Sequence, residues 1–272
     1  MRLILTGATG LVGSSALNQL LALPADQLSR LYILSRKPVP WADHHPNVTV
    51  IDHQDFTTYS PQLLDTLKGA TGCIWALGVS QTEVNKEDYV KITVDYPLAA
   101  AKAFATLADS FNFVYVSGEG VCVFRTDMDP RGGQHGKLTR EPQATQTPGL
   151  LTPFFGRVKG ECEQALLELA REHPSLQPYS VRPAMVDSIT DPRVREALLQ
   201  RPAERTVARR VFRGVVERAI RGVYAPAVSP TPELGRFLAR LAMGDGAPLD
   251  GHGLSGAGRI ISNVAFRREV GL

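Results

Sequence analysis

Cysteine is scarce in this chain: Cys73, Cys122 and Cys162 are the three present. An odd number at wide spacing argues against a disulfide framework or a zinc site and for free thiols in a reducing compartment. Long apolar runs are also missing. No stretch approaches the roughly eighteen consecutive apolar residues of a membrane-spanning helix, so no integral membrane segment is expected. Charge of one sign is in short supply as well. The 30 Lys and Arg stand against 27 Asp and Glu, leaving +3, and the arginines are balanced by acids along most of the chain. That is too weak a field to imply a nucleic-acid partner. His44, His45 and His53 lack regular ligand spacing, and no metal is expected. The first apolar run begins at Leu3, which leaves no room for a signal peptide and makes a cytoplasmic location the expectation.

What the chain does have is concentrated at its start. Leu3 to Leu5 form an apolar run, Thr6-Gly-Ala-Thr-Gly-Leu-Val-Gly13 follows, and Ala16, Leu17, Leu20 and Leu21 then recur at helical spacing. This is a strand, a glycine turn and a helix. Gly7 permits the tight turn, Gly10 lets the backbone approach a pyrophosphate, and Gly13 lets the helix pack on the strand. The free N–H groups at the helix start then face the anion, making Thr6, Gly7, Thr9, Gly10, Leu11, Val12 and Gly13 the candidate phosphate-binding set.

Further strands are expected at 30–35, 47–52, 72–78, 111–117 and 179–183, alternating with helical patterns. Pro97 should kink or restart the helix between Lys86 and Asp109. Such alternation means a Rossmann-type doubly wound parallel sheet with ligands beyond the carboxyl ends of the strands. The second strand ends at Ser35-Arg36-Lys37, where an acid would bind a ribose hydroxyl and a base accommodates a 2′-phosphate; Arg36 and Lys37 therefore favour NADP(H). Asp52 is placed to reach the adenine amino group, and Leu77-Gly78 to pass beneath the cofactor. Ser117 and Glu119 stand at the end of the fifth strand, and Pro183 opens a loop that covers the nicotinamide.

The helix expected from Phe155 to Glu172 carries Phe155, Lys159, Cys162, Leu166 and Leu169 on one face. A lysine in an apolar stripe has two explanations, snorkelling to solvent or contact with a cofactor ribose, and the glycine motif favours the second. Residues 125–153 are polar, aperiodic and read as a lid, with Asp127 and His135 more suited to solvent than to catalysis. Residues 1–184 form the dinucleotide-binding domain. Residues 185–272, with amphipathic helices at 204–220 and 234–243, read as a small, mostly helical C-terminal cap for the substrate, integrated with that domain.

The stretches Thr6–Gly13, Ala76-Leu-Gly-Val-Ser80, Val94-Asp95-Tyr96, Tyr115-Val-Ser-Gly-Glu-Gly120, Arg157-Val-Lys-Gly-Glu161 and Val181-Arg-Pro183 resemble an atypical branch of the short-chain dehydrogenase/reductases. They are similar to the Tat-interacting-protein-like reductases and to fungal proteins described as nucleoside-diphosphate-sugar epimerase-like. The resemblance covers residues 1 to 190 and, with the fungal members, extends through Ser262–Leu272. It implies a nicotinamide cofactor, a small-molecule substrate of natural-product type and a possible homodimer. It also implies a tyrosine four residues before the lysine as proton donor and a serine that orients the substrate. Here the sequence departs: Phe155-Gly-Arg-Val-Lys159 has phenylalanine at the tyrosine position, and Ser117 and Gly118 compete for that of the serine. Three functions follow: an NADPH-dependent reductase of a carbonyl, enone or imine with Glu119 as the substitute acid; a non-redox isomerase, epimerase or cyclase; and a catalytically silent cofactor sensor.

Overall fold

The computed structural model describes residues 1–80, 82–119, 154–187, 190–199 and 225–272. The stretches expected as a lid and as the 204–220 helix, together with Cys122, Asp127 and His135, lie outside the described residues.

Among those described, six strands run parallel: β1 (Arg2–Thr6), β2 (Arg30–Ser35), β3 (Val48–Asp52), β4 (Gly72–Trp75), β5 (Phe111–Val116) and β6 (Leu176–Val181). Beyond a short parallel pair, β7 (Met185–Val186) and β8 (Val228–Ser229), the chain returns to the main sheet. Here β10 (Ile260–Ile261) pairs parallel with β6, and β9 (Leu254–Ser255) closes the edge antiparallel. The eight strands lie in the order β3-β2-β1-β4-β5-β6-β10-β9. Order reverses between β1 and β4, and in a doubly wound sheet this switch opens a crevice at the carboxyl ends.

Side chains alternate across each strand, which divides the core in two. Leu3, Leu5, Ile33, Ile74 and Val114 point to one face and pack with helix α1 (Leu11–Leu21). Ile4, Leu34, Cys73, Trp75 and Phe113 point to the other, against α4 (Tyr96–Phe104) and α5 (Phe154–Glu172). Short helices α2 (Pro61–Leu67) and α3 (Lys86–Val90) precede α4. Cys73 and Cys162 are free and buried.

Proline restarts the helix as its chemistry demands. One π-turn, Lys91–Asp95, separates α3 from α4, and Pro97 sits in the first turn of α4. Having no N–H, it cannot bond the carbonyl of Thr93 four residues back, and that oxygen accepts the Tyr115 hydroxyl at 3.3 Å.

The C-terminal region is built into the sheet more deeply than its sequence suggests. After α6 (Pro192–Leu199), helix α7 (Thr231–Met243) lies against α1 and contributes Leu234, Phe237, Leu238 and Leu241 to the first core. The Ser15 hydroxyl donates to the Thr231 carbonyl at their contact. A last helix, α8 (Asn263–Glu269), starts directly after β10, so its first turn arrives at the carboxyl end of the sheet. Among the described residues no helix is long and apolar enough to cross a membrane.

The glycine turn is tight enough to forbid side chains. Gly7 has φ +69°, and a Cβ there would lie 2.3 Å from the Ala76 carbonyl oxygen; one on Gly13 would lie 2.0 Å from that of Gly7. These obstacles are backbone and cannot rotate away. Gly13→Ala is therefore expected to push α1 off β1, lowering stability by about 1–3 kcal/mol in urea unfolding. A variant matching wild type would show that the turn relaxes freely.

Candidate active site

The carboxyl ends of β1 to β6 collect the candidate residues. At β1, Thr6 is fully buried and its hydroxyl finds no partner among the described residues. The chain turns at Gly7, with the Gly10 N–H donating to the Gly7 carbonyl at 2.8 Å, and Thr9 sits within this turn. Helix α1 then starts at Leu11 with Gly10 as its cap. Among the described residues its cap supplies no side-chain bond, and no acid stands in its first turn. The Leu11, Val12 and Gly13 amides and the positive end of the helix dipole are thus left without a protein anion, an arrangement that suits a phosphate.

At the neighbouring edge Arg36 and Lys37 are exposed just beyond β2. The Ser35 hydroxyl donates to the Lys37 carbonyl at 2.7 Å and accepts the Lys37 N–H at 3.2 Å, fixing the turn. Asp52 ends β3 directly beside Ser35 and is exposed. Its Oδ1 accepts from the Gln54 amide, whose nitrogen also reaches the Arg36 carbonyl at 3.4 Å. Past β4, Leu77 packs on the second core, and exposed Gly78 has open space where a side chain would be. His53 stacks on Tyr59 with centroids 5.1 Å apart, and burial lowers its pKa.

The end of β5 holds the ionisable groups. Lys159, from the second turn of α5, donates through Nζ to the carbonyls of Ser117 at 2.8 Å and Val116 at 3.3 Å, and sits 5.8 Å from the centre of the Tyr115 ring. Burial pulls its pKa down to about 8, with Cys162 and Glu163 opposing. The Ser117 hydroxyl is buried and without a partner among the described residues, while a Cβ on Gly118 would lie 3.9 Å from Lys159 Nζ. Both positions thus border the lysine. Phe155 lies one helical turn before Lys159 and is half-buried, with no proton to give. Phe154 next to it packs its ring 5.8 Å from that of Tyr89.

Glu119 follows on the same strand end, its N–H donating to the Pro183 carbonyl at 2.9 Å. Burial raises its carboxyl pKa, against the lowering effects of the Asn263 N–H and of Arg182. The Asn263 bond, 2.7 Å to Oε1, ties Glu119 to the first turn of α8. The C-terminal segment therefore helps hold this acid, a role its sequence did not disclose.

One pair escaped the sequence reading. Glu163 and Arg182 form a buried two-point ion pair, with the Arg182 Nε 2.9 Å from Glu163 Oε1 and Nη2 bonded to Oε2; their side chains are 11% and 2% exposed for Arg182 and Glu163 respectively. The signal was present, since Glu163 stands four residues after Lys159 and so shares its helical face. Among the described residues no group of three potential metal ligands gathers anywhere.

No protein-family model matches the chain. It is 35% identical over 272 residues to the leucinostatins biosynthesis cluster protein T of Purpureocillium lilacinum, covering 98% of this chain and 94% of that protein. It is 38% identical over 182 residues, 64% of this chain and 98% of the relative, to the botcinic acid biosynthesis cluster B protein 16 of Botryotinia fuckeliana. Among solved structures, a dTDP-glucose 4,6-dehydratase, DesIV from Streptomyces venezuelae with NAD bound, superposes with a TM-score of 0.62 at 16% identity, covering 100% of this chain and 79% of that one. With a Rossmann-type sheet and this similarity along nearly its whole length, the chain belongs to the same family as the leucinostatins biosynthesis cluster protein T.

Proposed function

We propose that the chain is an NADP(H)-dependent reductase of a small organic carbonyl, enone or imine, in which Glu119 supplies the proton that Phe155 cannot. The observation that carries this reading is the pairing of two features on one sheet edge. An uncapped helix start follows β1, and a half-buried lysine stands at the end of β5. They suit the two ends of a dinucleotide laid across the strand switch.

The residues fit the cofactor. Gly7 and Gly13 let the turn close tightly against the chain's own backbone, and the buried hydroxyls of Thr6 and Ser117 lack partners among the described residues. The amides of Leu11, Val12 and Gly13, with Thr9 and the close approach that Gly10 permits, would hold the pyrophosphate. Arg36 and Lys37 would take the 2′-phosphate, Asp52 the adenine amino group, and Lys159 a ribose. Leu77, Gly78 and Pro183 would line the nicotinamide path. When bound, the cofactor supplies hydride.

The chain's own task is the proton. Glu119 suits it because burial favours the neutral carboxylic acid, while the Asn263 N–H fixes one oxygen and leaves the other to carry the proton. The occurrence of both relatives in named biosynthesis clusters supports a natural-product substrate.

Calorimetric titration should give NADPH binding at least about tenfold tighter than NADH, and failure to bind either would sink the cofactor assignment. Glu119→Gln retains an acceptor for Asn263 but has no proton to give, so it should fold normally and lose about 10²–10⁴-fold in turnover. Unchanged turnover would remove Glu119 from the chemistry. A second reading draws on the same pair of shifts: the carboxyl of Glu119 is raised and the amine of Lys159 lowered, an arrangement that also suits acid–base isomerisation. Product formed without net NADPH oxidation would identify it.

A further inference from the structure

The geometry points to Gln54 as a positioning residue that sets cofactor choice, by engaging the Asp52 carboxylate and so keeping Arg36 open for a 2′-phosphate; this rests on the NADP(H) reading above. The edge formed by β2 and β3 contains a conflict. Ser35 and Asp52 are direct neighbours in register, so the Asp52 carboxylate stands one residue from Arg36 on the adjacent strand. An exposed acid at that distance competes with any phosphate for the guanidinium, and an acid free to turn towards a ribose hydroxyl favours the cofactor without the phosphate.

Gln54 resolves the conflict with the two hydrogens of one amide nitrogen. One is donated to Asp52 Oδ1, and the other reaches the Arg36 carbonyl at 3.4 Å. A primary amide nitrogen has two donors and no more, so both are used. The first bond engages the carboxylate with a neutral partner. The second is a long contact that ties Gln54 to the Arg36 backbone just beyond the strand. His53 N–H donating to the Ser35 carbonyl at 3.1 Å holds the two strand ends together beneath this bridge. Arg36 is exposed and makes no ion pair among the described residues. The Asp55 carboxylate is turned away onto the backbone and hydroxyl of Thr57, at 2.9 and 2.6 Å, which leaves Asp52 as the competing acid at this edge.

Removing the amide should release Asp52 to pair with Arg36. An exposed ion pair is weak, so the expected loss is a few-fold: Gln54→Met should bind NADPH about fivefold more weakly at low ionic strength, with NADH changed less than about twofold. The difference should shrink at about 1 M salt, where the released pair is screened. Asp52→Asn added to Gln54→Met should restore the NADPH-to-NADH preference, because no carboxylate remains to compete. A merely structural Gln54 would weaken both cofactors alike and would not be rescued by Asp52→Asn. Calorimetric titration of wild type, both single variants and the double variant with each cofactor reads all of this without any substrate. A wild type with no preference for NADPH overturns the cofactor reading and the Gln54 role with it. A wild-type preference that Gln54→Met leaves intact overturns the Gln54 role alone.

Discussion

Lys159→Met is expected to cut turnover by about 10²–10³-fold and to lose stability relative to wild type as pH rises from 7 to 10. The two effects share one cause. The ammonium is held in a half-buried position whose pKa is about 8 against an ordinary 10.5, because removal from water disfavours the charge. For a lysine lowered in this way, the folded state carries its full cost below about pH 8, where the group is charged in both states. The cost declines as pH rises from 8 towards 10.5 and is absent above that. A displacement of this size corresponds to about 3 kcal/mol. Methionine fills the same volume without the charge, but it forfeits the ammonium's bonds to the Val116 and Ser117 carbonyls, worth about 1.5–3 kcal/mol each for a charged donor. At pH 7 the relief therefore does not exceed the loss, and it is the relief that disappears as pH rises.

Thermal unfolding of both proteins at pH 7 and pH 10 checks the sign: the variant's stability relative to wild type should fall between the two. A variant that gains on wild type with rising pH would contradict the account of the buried charge. Turnover should fall by about 10²–10³-fold, since on the proposed reading the cation that would orient the ribose and stabilise developing negative charge is gone. In wild type, activity that needs the charged amine should decline as pH rises through about 8.

The fold was legible where periodicity is long and glycine is placed by necessity. Leu3–Leu5, the turn to Gly13 and the helix after it can be read because each residue type there answers a steric demand, and β2 to β6 because each is a run of four to six residues between helical patterns. Phe154–Glu172 was expected within one residue, as its apolar stripe repeats over nineteen residues. The C-terminal strands were not legible for a physical reason. Ile260–Ile261 is a two-residue strand, too short for alternation to appear, and it joins the sheet through pairing with β6 instead of through any pattern of its own. Helix α7 was visible as an amphipathic segment, but its seat on α1 is a tertiary fact. Within the site, Lys159 stood out as a charge in an apolar stripe. Gln54 gave no such signal, since an exposed glutamine after a strand is ordinary until the strand beside it is known. The tie from Glu119 to Asn263 spans 144 residues, and nothing local announces it.

The same distance argument makes the buried ion pair the most damaging place to cut the structure. Glu163→Ala leaves the Arg182 guanidinium in a position 9% exposed without its two-point partner, and loss of about 3–5 kcal/mol is expected. In urea this should move the unfolding midpoint down by about 1–3 M. The double variant Glu163→Leu/Arg182→Met removes both charges and keeps the volume, so most of that loss should be recovered. What it does not recover is the field on Glu119. Arg182 lowers the Glu119 pKa and Glu163 raises it, with Arg182 the larger of the two, so the double variant should carry a Glu119 shifted further up. Its pH–rate profile should then extend to higher pH on the limb set by the acid, in a protein of near-normal stability. If Glu163→Ala unfolds within about 1 kcal/mol of wild type, the guanidinium has another buried partner and the pair is not what holds α5 to β6. If the double variant is stable but its profile is unmoved, Glu119 is not the group that the profile reports.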